Sequence, residues 1–360
     1  MKCAVVEYNY CHDETLPTLV YLLNNLGISV DVYASRRAIR NNPFAYTTGL
    51  SFSLRQCDGV FFKLRSDRFH FRHYDFLILN SLEPKAILER VADIQVPILG
   101  VMHNGNLIRT DPDYASFFGE SGRKPLVLAG HISDFLSGTT VARWVSPVLL
   151  GQVKPTKSDN LDQVRLCVQG NLEFERRNYE CLLDAIEQLI VDGVRKLKVM
   201  IIGRNGTNDG LIFREQIRKR NLVSFFEFSK GELPYKNYYE FIAKANFLLP
   251  LVDTTSSHYR PYFLDKVTTS VLVSIGMCVI PIIHEQLADL YGIKSESVTY
   301  EDGELPDALK RAFSTDRDTL EKLHSGLASK REALLSESID NMRETLRDLG
   351  LIPKEEQRQL

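Results

Sequence analysis

HYRPYFLDKVTTSVLVSIGMCVIPII, residues 258–283, decides how the chain is read. His258–Tyr262 is polar and aromatic, with Pro261 to stop regular structure. Asp265–Ile275 predicts a short helix that opens on Lys266, Thr268, Thr269 and Ser270, with Gly276 as its stop. Val279–Ile283 is a short apolar run of the kind buried in a parallel sheet. A helix start with hydroxyls and a lysine collects backbone N–H groups, a positive dipole end and side-chain donors. Together these suit an anion, and phosphate above all. An N-capped core helix with a surface lysine fits the same residues. The rest of the chain has to weigh one against the other.

Outward from that stretch the same rhythm of strand, loop and helix repeats. Lys2–Glu7 predicts a strand, Thr15–Leu26 a helix with Leu16, Leu19, Leu23 and Leu26 at helical spacing, and Ile28–Tyr33 a second strand. Such a βαβ unit implies a parallel sheet. Gly59–Phe62 predicts a short strand inside a poorly periodic region from Ser35 to His73. FLILN (76–80) and PILGVM (97–102) predict further strands, with a helix at Lys85–Asp93 between them. Leu126–Ala129 and Trp144–Leu149 close the first half. GQVKPTKSD (151–159) is polar, carries Pro155 and reads as a linker. The second half repeats the pattern: strands at Val164–Val168, Leu197–Ile202, Phe225–Phe228 and Phe247–Leu251, with helices at Tyr179–Val191, Asp209–Asn221 and within Leu233–Ala245. Two candidate helices follow in the tail, Asp316–Ala328 and Glu337–Leu349.

Composition narrows the class. The chain has 360 residues, 44% hydrophobic and 25% charged, with a net charge of −2. It is long enough for two domains and too nearly neutral to suggest a nucleic-acid binder. Apolar runs are too short for a signal peptide or a membrane span, and the longest is broken by Ser274, Gly276 and Pro281. The cysteines at 3, 11, 57, 167, 181 and 278 lack CxxC spacing and read as reduced thiols of a cytoplasmic protein.

Polar residues gather just after the predicted strands, where open parallel sheets bind ligands. His12, Asp13 and Glu14 follow the first strand, Ser81 and Glu83 follow FLILN, and His103 and Asn104 follow PILGVM. A carboxylate beside an imidazole tunes its pKa toward neutrality, so His12 and Asp13 are acid–base candidates. Each is also a natural turn residue, and Asp13 or Thr15 would cap the next helix. Arg36, Arg37, Arg40, Arg65, Arg68 and Arg72 form either a solvated basic face or a surface for an anionic acceptor or lipid head group, so peripheral membrane contact is permitted without being required.

In the second half, three loops carry phosphate-type chemistry. Gly170 and Asn171 let the backbone approach a ligand, while Arg176 and Arg177 can pair with phosphate oxygens. Gly203–Arg204–Asn205–Gly206 follows a strand, as a nucleotide-binding loop would. Lys266 with Thr268, Thr269 and Ser270 heads the last helix. No GxGxxG follows the first strand and no GxxxxGK[ST] occurs, which argues against a Rossmann dehydrogenase or a P-loop ATPase.

Taken together these features resemble a GT-B glycosyltransferase of the glycosyltransferase 1/4-like group. GNLEFERRNYECLLDAIEQL (170–189), KVMIIGRNG (198–206) and FLLPLVDTTSSHYRPYFLDKVTTSVLVSIGMCVIPI (247–282) are similar to that group's donor domain, and the likeness covers residues 160–295. It implies an α/β fold of two Rossmann-like domains facing each other across a cleft, with a helical C-terminal tail. The expected division is an acceptor domain at 1–150, a linker at 151–160, a nucleotide-sugar donor domain at 161–335 and a tail at 336–360. The implied activity is transfer of a hexosyl group from a nucleotide-diphosphate sugar to a hydroxyl of a glycan, a lipid-linked intermediate or a protein. A cytoplasmic role in polysaccharide biosynthesis, at or near the inner face of a membrane, goes with it.

On that resemblance Gly170, Asn171, Arg176, Arg204, Asn205, His258, Tyr259, Lys266, Thr268, Thr269 and Ser270 hold the donor diphosphate and its sugar. Lys266, Arg176 and the helix start at Val267–Ser270 neutralise the leaving group. The acceptor lies near His12, Asp13 and His103, and closure of the domains excludes water. Asp13, with His12 or Glu14 as substitutes, is the base an inverting transfer needs. No acidic metal site is expected, and no cofactor. One departure stands out: the widely spaced pair of glutamates found in many retaining members falls near Phe263 and Val271, neither of them acidic. His258, Asp265 or the hydroxyls would have to replace it. A non-catalytic nucleotide-binding or protein-interaction relative is the alternative, and a sugar-nucleotide epimerase a more distant one.

Overall fold

A computed structural model describes residues 1–9, 11–58, 67–150 and 163–353. The strand expected at Gly59–Phe62 and the linker at 151–160 lie outside them, as do Arg65 and the side chain of Arg68. The described chain divides into two compact units. The first is Met1–Leu150 with Asp265–Val267 and Ala333–Leu360; the second is Gly151–Leu264 with Thr268–Glu332.

The first unit is built on a seven-stranded sheet. Its strands are β1 (Lys2–Glu7), β2 (Ser29–Ala34), β3 (Ser53–Gln56), β4 (Phe76–Leu79), β5 (Ile98–Met102), β6 (Arg123–Val127) and β7 (Arg143–Trp144). All pair in parallel, in the order β3-β2-β1-β4-β5-β6-β7. Parallel strands covered on both faces read as unbroken apolar runs. KCAVVE behaves so: Cys3 and Val5 enter one core cluster, Ala4 and Val6 the other.

The second unit holds a six-stranded sheet of β8 (Val164–Gln169), β9 (Leu197–Ile202), β10 (Phe226–Phe228), β11 (Phe247–Leu248), β12 (Ile280–His284) and β13 (Val298–Tyr300). Its order is β10-β9-β8-β11-β12-β13, again parallel. Each sheet therefore winds outward both ways from a central pair, β1/β4 and β8/β11. At such a switch point the connections leave in opposite directions and open a crevice beyond the strand ends.

Helix Leu16–Asn25 buries Leu16, Leu19, Leu22 and Leu23 against the first sheet. Tyr179–Val191 does the same in the second unit, capped by Asn178, whose Oδ1 accepts the Cys181 N–H at 3.0 Å. Several expected boundaries move. The helix placed at Asp265–Ile275 runs from Thr269 to Met277, because Lys266 bridges Asn104 and Asp265–Val267 belong to the first unit. Gly276 is inside that helix and buried; Cys278, at φ 53°, ends it. The two tail helices are one, Arg317–Asp348, since SKREALLSES contains no breaker. Gly326 sits within it because a Cβ there would meet Glu296 Cγ at 2.7 Å.

From Ala333 on, that helix belongs to the first unit rather than forming a separate tail. Met342 and Leu346 are fully buried in a cluster with Cys3 and Val5. Ser338 Oγ accepts the Ser146 N–H at 3.0 Å, and Asn341 Nδ2 donates to Trp144 O at 3.0 Å. Among the described residues no helix is long and apolar enough to cross a membrane. Cys3, Cys57 and Cys167 are buried free thiols, whereas Cys11 is exposed.

Candidate functional site

Each switch point carries a polar cluster. In the first unit β1 ends on Glu7, which is fully buried, and β4 is followed by Asn80, also fully buried. Asn80 Nδ2 donates to Glu7 Oε2 and, at 2.8 Å, to His12 O. The Asn9 N–H donates to Glu7 Oε1 at 2.6 Å. Thr15 Oγ1 lies 2.7 Å from His12 O and within reach of Asn80 Oδ1. After β5, His103 Nε2 donates to Asn80 O at 2.9 Å; a carbonyl only accepts, so that nitrogen carries the hydrogen. The rings of His12 and His103 stack with centroids 3.5 Å apart and planes at 20°.

Electrostatics separates these groups. Burial pushes the Glu7 carboxyl up to about 7, against the lowering pull of Asn80, the Asn9 N–H and His12. His103 falls well below the usual histidine value, first from burial and then from the His12 charge. For His12 burial again opposes the cation. Glu14, whose Oε1 is 3.9 Å from His12 Nδ1, together with Glu7 and Glu83 outweighs it and raises the pKa. At that separation the pairing with Glu14 is a charge interaction rather than a hydrogen bond. Burial also raises Glu83, which accepts the Asn104 N–H at 3.0 Å.

Of the four expected acid–base residues, then, His12 and His103 come together, and Glu14 stands beside them. Asp13 is 97% hidden, within a single 3-10 turn, Asp13–Thr15, and no side-chain cap forms at His12. Glu7 and Asn80 were missed as members of this cluster; both read as the last residues of predicted strands.

The second unit's switch point is made of backbone and one cation. Gly170, at φ 114°, follows β8, and a Cβ there would meet Arg177 Nη2 at 2.5 Å. Gly203, at φ 130°, follows β9, and its Cβ would lie 2.3 Å from Gly170 O. Both positions require glycine. Arg177 is buried. Its Nη2 donates to Ser270 Oγ at 3.2 Å and its Nη1 approaches Asn171 O at 3.4 Å, while Nε has no partner. Ser270 Oγ in turn donates to Gln169 Oε1 at 2.8 Å. One buried guanidinium thus ties the loop after β8 to the first turn of the Thr269–Met277 helix, where N–H groups lack intrahelical partners.

The expected donor residues divide accordingly. Gly170, Asn171 and Ser270 share this cluster. Asn205 is buried next to it, its Nδ2 bonded to Gly203 O and Ser229 O and its Oδ1 to Arg214. Thr268 N donates to Tyr291 Oη at 3.1 Å, and Thr269 is half-buried. Tyr259 is buried, with Oη donating to Phe174 O at 3.2 Å; His258 and Arg204 are exposed. Arg176 is exposed and paired with Glu173, so the buried cation is its neighbour. Lys266 does not open the helix. It pairs with Asn104 in the first unit, where its carbonyl accepts from His131 Nε2 at 3.3 Å and Gly105 N donates to Asp265 O at 2.9 Å. No spacing rule ranks Arg177 over Arg176; only their burial does.

No family model matches the chain, and no curated protein matches it. Solved structures do. HepE from Anabaena, in complex with UDP and glucose, is 12% identical with a TM-score of 0.66, over 97% of this chain and 100% of that one. Sucrose-phosphate synthase from Thermosynechococcus elongatus is 13% identical with a TM-score of 0.62, over 97% and 99%. A glycosyltransferase from Rickettsia africae is 12% identical with a TM-score of 0.61, over 99% of each chain. The likeness gives the fold: two Rossmann-like domains of the GT-B type.

Proposed function

We propose that this protein is a glycosyltransferase that moves a sugar from a nucleotide-diphosphate donor to an acceptor hydroxyl. One observation carries the reading: the glycine-backed, arginine-buttressed helix start at the β8/β11 switch point, in a fold whose neighbour HepE holds UDP and glucose. Close backbone approach at Gly170 and Gly203 makes room for an anion against N–H groups. Arg177 supplies a fixed positive charge behind them. Such preplaced charge stabilises a departing diphosphate without reorganising as the bond breaks. Arg176, Arg204 and His258 are the exposed residues of the proposed donor set, and Gly170, Asn171, Lys266 and Thr269 are half-buried. Lys266 stays in that set by its position in the chain, and its charge acts on Glu83 and Asp265.

The acceptor is assigned to the first unit. His12, with 30% of its side chain exposed and Glu14 beside it, is the better base than the buried Asp13. It takes the proton of the acceptor hydroxyl while electron density moves onto the donor diphosphate. A hydroxyl of a glycan or lipid-linked intermediate, in cytoplasmic polysaccharide synthesis, is the proposed acceptor. With arginine chemistry at the leaving group the transfer needs no metal, and full activity in excess EDTA is the expected result. A second reading, a non-catalytic nucleotide binder, is favoured by Val271, fully buried where an acidic residue would be needed.

Thermal-shift measurements with UDP, GDP, ADP, CMP and their sugars test the assignment, because a ligand of the folded state raises its melting temperature. One nucleotide should stabilise wild type, and Arg177→Ala should abolish the effect while Lys266→Ala weakens it. No shift with any of them at millimolar ligand would refute the donor site. A shift without sugar transfer to any acceptor would favour the second reading.

A further inference from the structure

The stacked histidines are both held by one buried residue. Asn80 holds the backbone of His12 through its side-chain Nδ2 and the ring of His103 through its main-chain carbonyl oxygen. That same Nδ2 is fixed by Glu7, which has no exposed surface and lies at the centre of the sheet. A carboxyl group at the end of a core strand costs stability unless something requires it. Nothing in the sheet does, because the ladder hydrogen bonds of β1 are made by its backbone.

We infer that Glu7, acting through Asn80, is a positioning residue for the His12–His103 pair, setting the place of His12 and supplying the negative charge against which it accepts a proton. The role rests on the proposed transfer reaction, since it assigns the proton acceptor of that reaction. When the acceptor O–H bond breaks, its proton goes to His12 and the electron pair stays on the attacking oxygen. His103, stacked 3.5 Å away, cannot carry a second positive charge and remains neutral with its hydrogen on Nε2. The cation on His12 is then favoured by Glu14 on its own turn, Glu7 at the end of β1 and Glu83 after β4. The other charges near this group are Asp13, which opposes ionisation of Glu7, and Lys266, which favours ionisation of Glu83. Cys57, whose Sγ donates to Glu7 O at 3.4 Å, stays a thiol because burial and Asp58 raise it to about 12. Glu7 and His12 therefore titrate as neighbours, and the carboxylate form of Glu7 makes proton uptake by His12 easier.

The test is a histidine C2-proton NMR titration of the full chain, with His12→Gln to assign the signal. In Glu7→Gln the His12 midpoint should fall by about half a pH unit or more, as expected for loss of a nearby opposite charge. In Asn80→Ala the upfield ring-current shift from the stack should disappear. Glu7→Asp, which keeps the charge and shortens the reach, should restore most of the midpoint while kcat stays low and KM unchanged. A folded Glu7→Gln protein with an unmoved midpoint and an intact ring-current shift would overturn the role. Should Glu7→Gln not fold, carbon-13 carboxyl titration of wild type decides. A glutamate with its midpoint near 7, shifted in His12→Gln, supports the role, and the absence of any glutamate titrating above the ordinary range refutes it. Neither titration needs a donor or an acceptor. Failure to detect sugar transfer counts against the proposed function alone, and transfer with a flat titration counts against Glu7 alone.

Discussion

The two switch points share a strand order and differ in nearly everything else. At β1/β4 the chemistry is in side chains: two imidazoles, a buried carboxyl and an amide that joins them. At β8/β11 it is in the backbone: two glycines at positive φ, a helix start and one guanidinium that holds them in register. The first arrangement suits proton transfer, because burial raises the Glu7 carboxyl to about 7 and the neighbouring carboxylates, against burial, raise His12. The second suits an anion, because its donors are fixed and carry no proton to lose near pH 7. Topology says where a site lies. The first residues after each strand say what it does.

That contrast can be broken, and the largest effect should come from His12. His12→Ala is expected to lower kcat about a hundred- to ten-thousand-fold, the range for loss of a general base, with nucleotide-induced stabilisation unchanged. A loss below tenfold would remove proton transfer from the first switch point. Next comes Gly203→Ala. Its Cβ would lie 2.3 Å from the Gly170 carbonyl oxygen, backbone against backbone, at a φ of 130°. Urea unfolding should show a loss of about 3 kcal/mol, and the nucleotide response should vanish. Gly206→Ala, in the same loop with nothing within 4 Å of the new atom, should stay within about 0.5 kcal/mol. Equal costs at the two glycines would mean that close approach is not what the loop requires.

A smaller effect is the pH dependence of stability. Glu7 holds its proton up to about pH 7 when folded and releases it near the ordinary glutamate value of 4.5 when unfolded. Between those values the native state binds more protons, so stability falls as pH rises through the window and levels off above it. The contribution is on the order of 3 kcal/mol, and Glu7→Gln should flatten that part of the curve. An unchanged slope would show that Glu7 is ionised throughout. The smallest effect belongs to Arg176→Ala. Its exposed pair with Glu173 should be worth under about 0.5 kcal/mol, and it should weaken nucleotide binding far less than Arg177→Ala does. The reverse ranking would move the leaving-group charge to the exposed arginine.

Much of the fold was legible because its signals are local. The apolar runs of β1, β5, β8 and β9 and the leucine spacing of Leu16–Asn25 mark strands and helix without reference to anything distant. The short edge strand Ser53–Gln56 was not, since its exposed, polar sequence lacks the apolar run of a covered strand. Nor was the start of the Thr269–Met277 helix. Asp265–Val267 look like helix residues until Asn104 and Gly105 offer them backbone partners. The site followed the same rule. His12 and His103 announced themselves by type and by position after a strand. Glu7 and Arg177 gained their meaning only from burial and from partners more than ninety residues away, Ser270 for the arginine, or brought in by sheet pairing, Asn80 for the glutamate.

By itself the sequence determined two α/β halves, the loops that could carry chemistry, and a second half suited to phosphate. Those features depend on residue type and spacing along the chain. Tertiary structure decided which of two adjacent arginines is buried, that residues 265–267 and the end of the last helix join the first unit, and that a core glutamate bonds the asparagine that holds two stacked histidines. Desolvation and hydrogen-bond partnership depend on neighbours in space, and only the folded chain supplies those.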